Sequence, residues 1–162
     1  MSTTVTSINV TATITGSLAP ASSSVLTGNL NVNDVTTKTP AIGTSTNQVA
    51  IAWTAVRSVT SGSPDILDLT ALTDAIGNSI SPTKLVGYKI ENQSSTAGEI
   101  LTLGGGTGSV FASDSTHPVG PGGVALYYDP AVGITITDTS ADKFQVAAAA
   151  GTVSYKLTLL FR

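Results

Sequence analysis

The chain has 162 residues, of which 41% are hydrophobic and only 10% are charged, and its net charge is −3. This length suits one domain with its own core, and a charged fraction far below the usual ~25%, with roughly a quarter of Ser and Thr, argues against disorder. The seven basic residues are scattered, which disfavours a nucleic-acid partner, and the absence of Cys excludes disulfides and thiolate metal sites.

Membrane and export signals are also missing from the sequence. No apolar run approaches the roughly 18 residues of a membrane span. The first residues lack the basic and apolar regions of a secretory signal. We therefore expect no membrane partner and, if Met1 is the natural initiator, synthesis in a cytoplasm without export by that route.

The N-terminal part of the chain predicts strands joined by polar connections. Alternation of apolar and polar residues over residues 8–16 predicts a first strand. Residues 17–24 are rich in Ser and Ala and predict a loop. Residues 26–32 predict a second strand with a bulge at Gly28, and residues 33–47 predict a long connection.

The segment 63–77 is compatible with two local structures. Ser63 suits an N-cap, a proline follows it, and Gly77 suits a C-terminal end, which favours a short helix or helical turn over residues 70–76. The alternative is a short strand at residues 66–69 followed by a turn.

Period-two alternation elsewhere predicts strands, and it is clearest in the last ten residues. There one face is apolar and the other is polar, with Leu160 as the one apolar exception on the polar face. The predicted strands cover residues 49–55, 86–91, 99–103, 124–128, 134–137, 143–149 and 153–162. Together they indicate an all-β fold, an antiparallel β-sandwich of jelly-roll type with about nine or ten strands and at most one short helix. We expect residues 1–47 to form N-terminal strands or an arm, and residues 48–162 to form the sandwich.

His117, the only histidine, is predicted to lie in a loop with Pro118. A catalytic triad could be drawn from it with Ser113 or Ser115 and Asp114, but these residues crowd into one loop, whereas a triad needs rigid supports. A solvated or interface histidine is the simpler interpretation.

Asp65, Asp68 and Asp74 form the densest acidic cluster and could supply oxygen ligands to Ca²⁺. They lack the spacing of a calcium loop, and turn or helix-end roles explain them more simply, so ion binding stays open. The glycine run Gly104–Gly108 lacks the Lys-Ser/Thr of a phosphate loop and predicts a flexible hairpin tip. We therefore expect no catalytic residue, no metal ligand and no cofactor.

Aromatic residues offer a different kind of site. Tyr127 and Tyr128 are adjacent in a predicted strand and must point to opposite faces, so one is expected in the core and the other on a surface. Trp53 is expected in the core. Two sequons, at Asn9 and Asn92, are expected by chance in a chain so rich in Ser and Thr.

Several segments together resemble small structural proteins of tailed bacteriophages. The resemblance covers roughly residues 49–162 and is carried by Leu67–Gly77, Lys84–Asn92, Ile100–Gly104, Val119–Val124 and Tyr155–Leu160. It implies a head decoration or minor capsid protein that is made in the host cytoplasm and assembled into the virion. It transfers no functional residue, since these segments correspond to strands and turns.

The sequence thus favours a non-enzymatic virion structural protein that bridges subunits of a capsid lattice. Its expected partners are the major capsid protein or other virion proteins, with a homo-oligomer, a trimer as the first guess. The N-terminal segment is a candidate arm that adds a strand to a neighbour. The alternative is a carbohydrate- or receptor-binding module of a tail or fibre, with Tyr127, Tyr128, Trp53 and the loop Phe111–His117 as candidates.

Overall fold

The computed structural model describes residues 6–18, 30–74, 76–111 and 116–162. These residues form thirteen β-strands and no helix. The strands are β1 (Val10–Leu18), β2 (Leu30–Lys38), β3 (Ala41–Ile42), β4 (Gln48–Val49), β5 (Ile51–Thr60), β6 (Asp65–Asp68), β7 (Lys84–Asn92), β8 (Leu101–Gly104), β9 (Thr116–Val119), β10 (Val124–Tyr128), β11 (Ile134–Thr135), β12 (Lys143–Ala148) and β13 (Thr152–Phe161).

Two larger sheets share one hydrophobic core. The first has the strand order β10-β7-β13-β5, with β11 also paired to β7, and the second has the order β6-β12-β8-β9. Every pair in both sheets is antiparallel. Buried residues from both sheets join in a single cluster, so the predicted all-β sandwich is confirmed. The strand order is compatible with the jelly-roll type, which stays a prediction.

The last strand, β13, lies in the middle of the five-stranded sheet and follows the predicted alternation. Its inward side chains are 0–1% exposed, whereas Ser154 and Lys156 on the outer face are exposed. Leu160, the exception in the sequence pattern, is nevertheless buried. It packs on the outer face with Val49 and Val86, beneath Ile8 and other half-buried residues.

The helix predicted over residues 70–76 is wrong for every residue of that range that the structure describes. Two Asx turns replace it. Asp68 Oδ1 accepts hydrogen bonds from the backbone N–H and the hydroxyl of Thr70, and Asp74 Oδ1 accepts from the N–H groups of Ile76 and Asn78. The side chains that suited helix-end roles thus stabilise turns. The alternative, a short strand, is confirmed as β6, which pairs with β12.

Three other local predictions need correction. The first strand continues through Gly16 to Leu18. The predicted connection over residues 33–47 is partly strand, because β2 runs to Lys38 and pairs along its whole length with β1. His117 and Pro118 lie in β9, not in a loop. The bulge at Gly28 and residues 19–24 of the predicted loop fall outside the described residues.

The N-terminal segment has no strand in either large sheet among its described residues. β1 pairs with β2, and the short strands β3 and β4 pair in parallel across the predicted boundary at residue 47. The division into an arm and a sandwich stays a prediction, although β1 and β2 form a separate two-stranded sheet.

Candidate interaction surface

The β1–β2 hairpin is the most exposed part of the described chain. Between residues 11–16 of β1 and 33–38 of β2, every side chain is exposed. Most are Thr, Asn or small residues, but Ile14 is 67% exposed and Val35 is 54% exposed. Thr13, not Ile14, lies opposite Val35, so the two apolar residues project from opposite faces of the hairpin.

The base of the hairpin rests on the outer face of the five-stranded sheet. Ile8 and Val10 pack against the small cluster around Leu160, next to Tyr128. Beyond this contact β1 and the sheet enclose an open groove of about 790 Å³. Its lining is mostly apolar and includes Ala12 and Ile14 of β1 and Ala52, Val124, Leu126 and Leu160 of the sheet.

The rest of the outer face is rich in hydroxyl groups, and its charged side chains are Lys89, Glu91 and Lys156. On β5 and β13, hydroxyl pairs cross between the strands, at 3.2 Å between Thr54 and Thr158 and 2.9 Å between Thr60 and Thr152. The ammonium of Lys89 lies 3.6 Å from the carboxylate of Glu91, so these two exposed charges compensate each other. Such a face can approach another protein without a large cost of charge desolvation.

An aromatic cluster lies at the opposite side of β10, between the sheets. The ring of Tyr127 stacks on Tyr88 at 5.5 Å, and Phe111 contacts Tyr88 edge to face at 5.7 Å. His117 contacts Phe111 at 6.1 Å. Burial raises the pKa of both phenols, and no hydrogen bond joins either hydroxyl to another described residue. Of these two tyrosines, Tyr127 is half-buried and is the one placed to offer its hydroxyl to a ligand, because Tyr88 is buried.

The structure brings together some candidates and separates others. Tyr127, Phe111 and His117 meet in this cluster through Tyr88, which the sequence had not singled out. Tyr128 points to the other face of β10, so the prediction that the two tyrosines face opposite sides is confirmed. Trp53 is half-buried against the core, as expected.

The three aspartates do not converge on one point, because each has its own partners. Asp65 forms a two-pronged ion pair with Arg57 at 2.6 Å and accepts a 2.6 Å bond from the Tyr155 hydroxyl. Asp68 pairs with Lys143 at 2.6 Å. Asp74 accepts the backbone N–H groups of the turn that follows it. Among the described residues no group of three or more His, Asp or Glu side chains is placed to hold a metal ion.

The Asp65 group links the two sheets, because Asp65 belongs to β6 whereas Arg57 and Tyr155 belong to β5 and β13. Burial alone would raise the pKa of the Asp65 carboxyl, but the hydrogen bonds from Arg57 and Tyr155 outweigh burial and lower that pKa. Burial and the bond to Asp65 raise the pKa of Tyr155. The group is a structural ion pair, fully occupied by protein partners.

The remaining sequence candidates also have structural partners. The run Gly104–Gly108 starts at the last residue of β8, and its far end is anchored, because Gly108 O accepts the N–H groups of Asp142 and Lys143. The flexible hairpin tip therefore stays a prediction. The sequon residue Asn92 is 1% exposed and donates to two backbone carbonyls. Ser113, Asp114 and Ser115, the other members of the triad considered, lie outside the described residues.

Comparisons with known proteins add no relationship: no protein-family model matches the chain, and no curated protein matches it. In the described ranges there is no helix with the length and hydropathy to cross a bilayer.

Proposed function

We propose that this protein is a non-enzymatic virion structural protein that binds and stabilises a phage capsid lattice, as a head decoration or minor capsid protein. The single observation that carries the proposal is the exposed β1–β2 hairpin with apolar residues on both faces. Its partners are then the major capsid protein or other virion proteins, and further copies of this chain. The protein is made in the host cytoplasm and carried in the virion.

The hairpin supports this proposal because it lacks a sufficient core of its own. A two-stranded hairpin is marginally stable alone in water, and it gains stability by burying an apolar face or by pairing with another strand. Val35 is 54% exposed, and Ile14 is still 67% exposed although it lines one side of the groove described above. A lattice subunit that covers the hairpin buries both of these side chains.

The groove beside the hairpin supports a binding role in the same way. It is open along one side and lined by apolar residues from two sheets, so an extended segment of a capsid subunit can lie between β1 and the outer face. Each contact of this kind is weak, but repetition over a symmetric lattice raises the effective concentration and the overall affinity.

Binding to emptied, expanded heads of the virus that encodes the chain tests the proposal. We expect the protein to sediment with the heads, and Ile14→Asp and Val35→Asp to weaken binding on the order of tenfold or more, because each puts a charge into an apolar contact. Val132→Asp is the matched control, since Val132 is 65% exposed but lies on the sandwich. Wild-type protein that stays in the supernatant, or three variants with equal binding, would refute the proposal.

A carbohydrate- or receptor-binding module of a tail or fibre is the second candidate, and the aromatic cluster favours it. Sugars stack on aromatic rings and bond to hydroxyls, and Tyr127 offers both at the edge of the sandwich. A glycan array tests this. Tyr127→Ala should abolish any hits, whereas Tyr128→Ala, one residue along on the other face, should keep them. An array without hits, or equal effects of the two variants, argues against it.

A further inference from the structure

Strand β5 is an edge strand, and up to Ser58 its outward backbone groups have no partner among the described residues. It pairs only with β13. Because Ser61 N bonds to Gly151 O, directly opposite in register, the odd-numbered residues of β5 bond to β13. The N–H and C=O groups of the even-numbered residues therefore point away from the sheet, and no described residue bonds to them at Ala52, Thr54, Val56 and Ser58.

The other three edges of the sandwich are protected in ways that β5 is not. β6 has four residues, of which two are Asp, and β9 has four residues, one of them Pro118. β10 has five residues. β5 has ten residues and no proline, and its one charge, on Arg57, is neutralised by Asp65. Short length, charge and proline are the usual protections of a strand edge against pairing, so β5 is the edge open to a partner.

The side chains of β5 also indicate a missing neighbour. On its inner face Ile51, Trp53 and Ala55 are only half-buried, whereas the inward side chains of β13 are fully buried. On its outer face Val56 is 64% exposed at the middle of the strand. The side chains of a further strand beside β5 would lie next to these residues on both faces of the sheet and reduce their exposure.

We propose that a second copy of this chain occupies this edge, by antiparallel pairing of β5 with β5 about a two-fold axis through Val56. Such a pair joins the two five-stranded sheets into one continuous sheet. The three central residue pairs alone, Val56 with Val56 and Thr54 with Ser58 twice, provide about six backbone hydrogen bonds.

The strand is complementary to itself in this register. Trp53 lies opposite Val59 of the second copy and Ala55 opposite Arg57 of the second copy, so no two like charges meet on β5. Lys156, beside Val56 on β13, is three strand spacings from its counterpart, about 14 Å, and this repulsion is largely screened at ordinary salt. In this register the facing residues of β5 are apolar, small or hydroxyl-bearing apart from Arg57, whose charge is neutralised by Asp65 of its own copy, so the edge is complementary to a second copy of itself.

The two-fold pair adds to the proposed function and does not depend on capsid binding, because purified protein without particles is sufficient to test it. The number of copies that it predicts differs from the trimer suggested by the sequence. An isologous pair gives dimers, or assemblies with an even number of copies.

Sedimentation at several protein concentrations is the first test, with Val56→Lys against Val132→Lys. We expect a reversible dimer for the wild-type protein and on the order of a tenfold or larger loss of association for Val56→Lys, because two ammonium groups then face each other at the axis. Val132→Lys is the same change at a valine of nearly equal exposure that lies away from β5 and from the groove, and it should leave association unchanged. A wild-type monomer at all concentrations, or a larger effect at Val132, would overturn the proposal.

Mixing complementary charges tests the register itself. Val56→Glu alone should also be monomeric, and an equal mixture with Val56→Lys should regain the dimer, since only pairing of residue 56 with residue 56 brings the two charges together. Failure of the mixture to associate refutes the two-fold axis at Val56.

A proline variant separates loss of pairing from loss of folding. The N–H of Val56 points outward, so Val56→Pro removes a donor to the second copy and no bond to β13. We expect a folded monomer with the wild-type circular dichroism spectrum.

In the wild-type protein, emission of Trp53, the only tryptophan, should shift to longer wavelength on dilution. Association that survives in Val56→Pro but is lost on deletion of residues 1–38 would assign the contact to the hairpin instead.

Discussion

Replacing Tyr155 by Phe tests the polar contact that joins the two sheets. Tyr155 is 1% exposed, and its hydroxyl donates to Asp65 Oδ2 at 2.6 Å. A hydrogen bond to a charged group contributes roughly 1.5–3 kcal/mol, and Asp65 keeps both bonds from Arg57 in the variant, so we expect a loss of about 2 kcal/mol in the free energy of unfolding. For a chain of this length that corresponds to a fall of about 4–8 °C in Tm.

Urea unfolding at fixed protein concentration measures this loss, and an unchanged m-value shows that the change lies in the native contacts. Tyr128→Phe is the control, because no hydrogen bond joins its hydroxyl to another described residue, and its cost should stay below about 0.5 kcal/mol. If the two variants differ by less than about 0.5 kcal/mol, the bond between Tyr155 and Asp65 does not hold the sheets together.

Three further predictions concern the core, a turn and the acid limit. Phe144→Ala, at a side chain with 0% exposure, should cost about 3–5 kcal/mol in the same urea assay. Gly133→Ala should cost about 1–2 kcal/mol and more than Gly62→Ala. Both glycines have positive φ, but only at Gly133 would a Cβ approach another backbone atom, the carbonyl oxygen of Leu85, at 3.1 Å; thermal melts of the two variants compare these costs. The bonds from Lys143 and then Thr70 lower the pKa of the Asp68 carboxyl to about 2, so its stabilisation is present above about pH 4 and is lost as pH falls toward 2. Since Asp68 is 40% exposed, Asp68→Asn should cost less than about 1 kcal/mol at pH 6, and this cost should shrink steadily as pH falls through about 2, as urea midpoints across that range will show.

Period-two alternation predicted the strands that have one buried face. β10 occupies the predicted residues 124–128, and the ends of β12 and β13 lie within one residue of their predictions. In each of these strands one face packs inside the sandwich, so every second residue is apolar and the alternation is visible in the sequence. The sandwich itself could be inferred from the number and spacing of such segments.

The elements that the sequence missed leave no such pattern. β2 is exposed on both faces over residues 33–38, so nothing selects apolar residues there. β9 has four residues and includes Pro118, which shortens any recognisable signal. The supposed helix at residues 70–76 failed because Asp68 and Asp74 bond to nearby N–H groups in turns as readily as at helix ends.

The candidate surfaces depend on contacts between residues distant in the sequence. Which strand lies at an edge is decided by pairing over long separations, such as that of β5 with β13, and no local pattern reports it. Tyr88 joins the aromatic cluster through stacking on a neighbouring strand. The sequence could identify Tyr127 as a candidate but not its neighbours.

The central position of β13 has a consequence for synthesis on the ribosome. The hydroxyl of Thr54 on β5 bonds to Leu157 on β13, 103 positions later in the chain. Until translation reaches β13, both β5 and β7 lack a neighbour that they have in the finished sheet, and contacts this far apart form slowly. A nascent chain therefore carries β5 unpaired and β7 paired on one side only, and chaperones that shield such exposed strands should raise the yield of the folded protein.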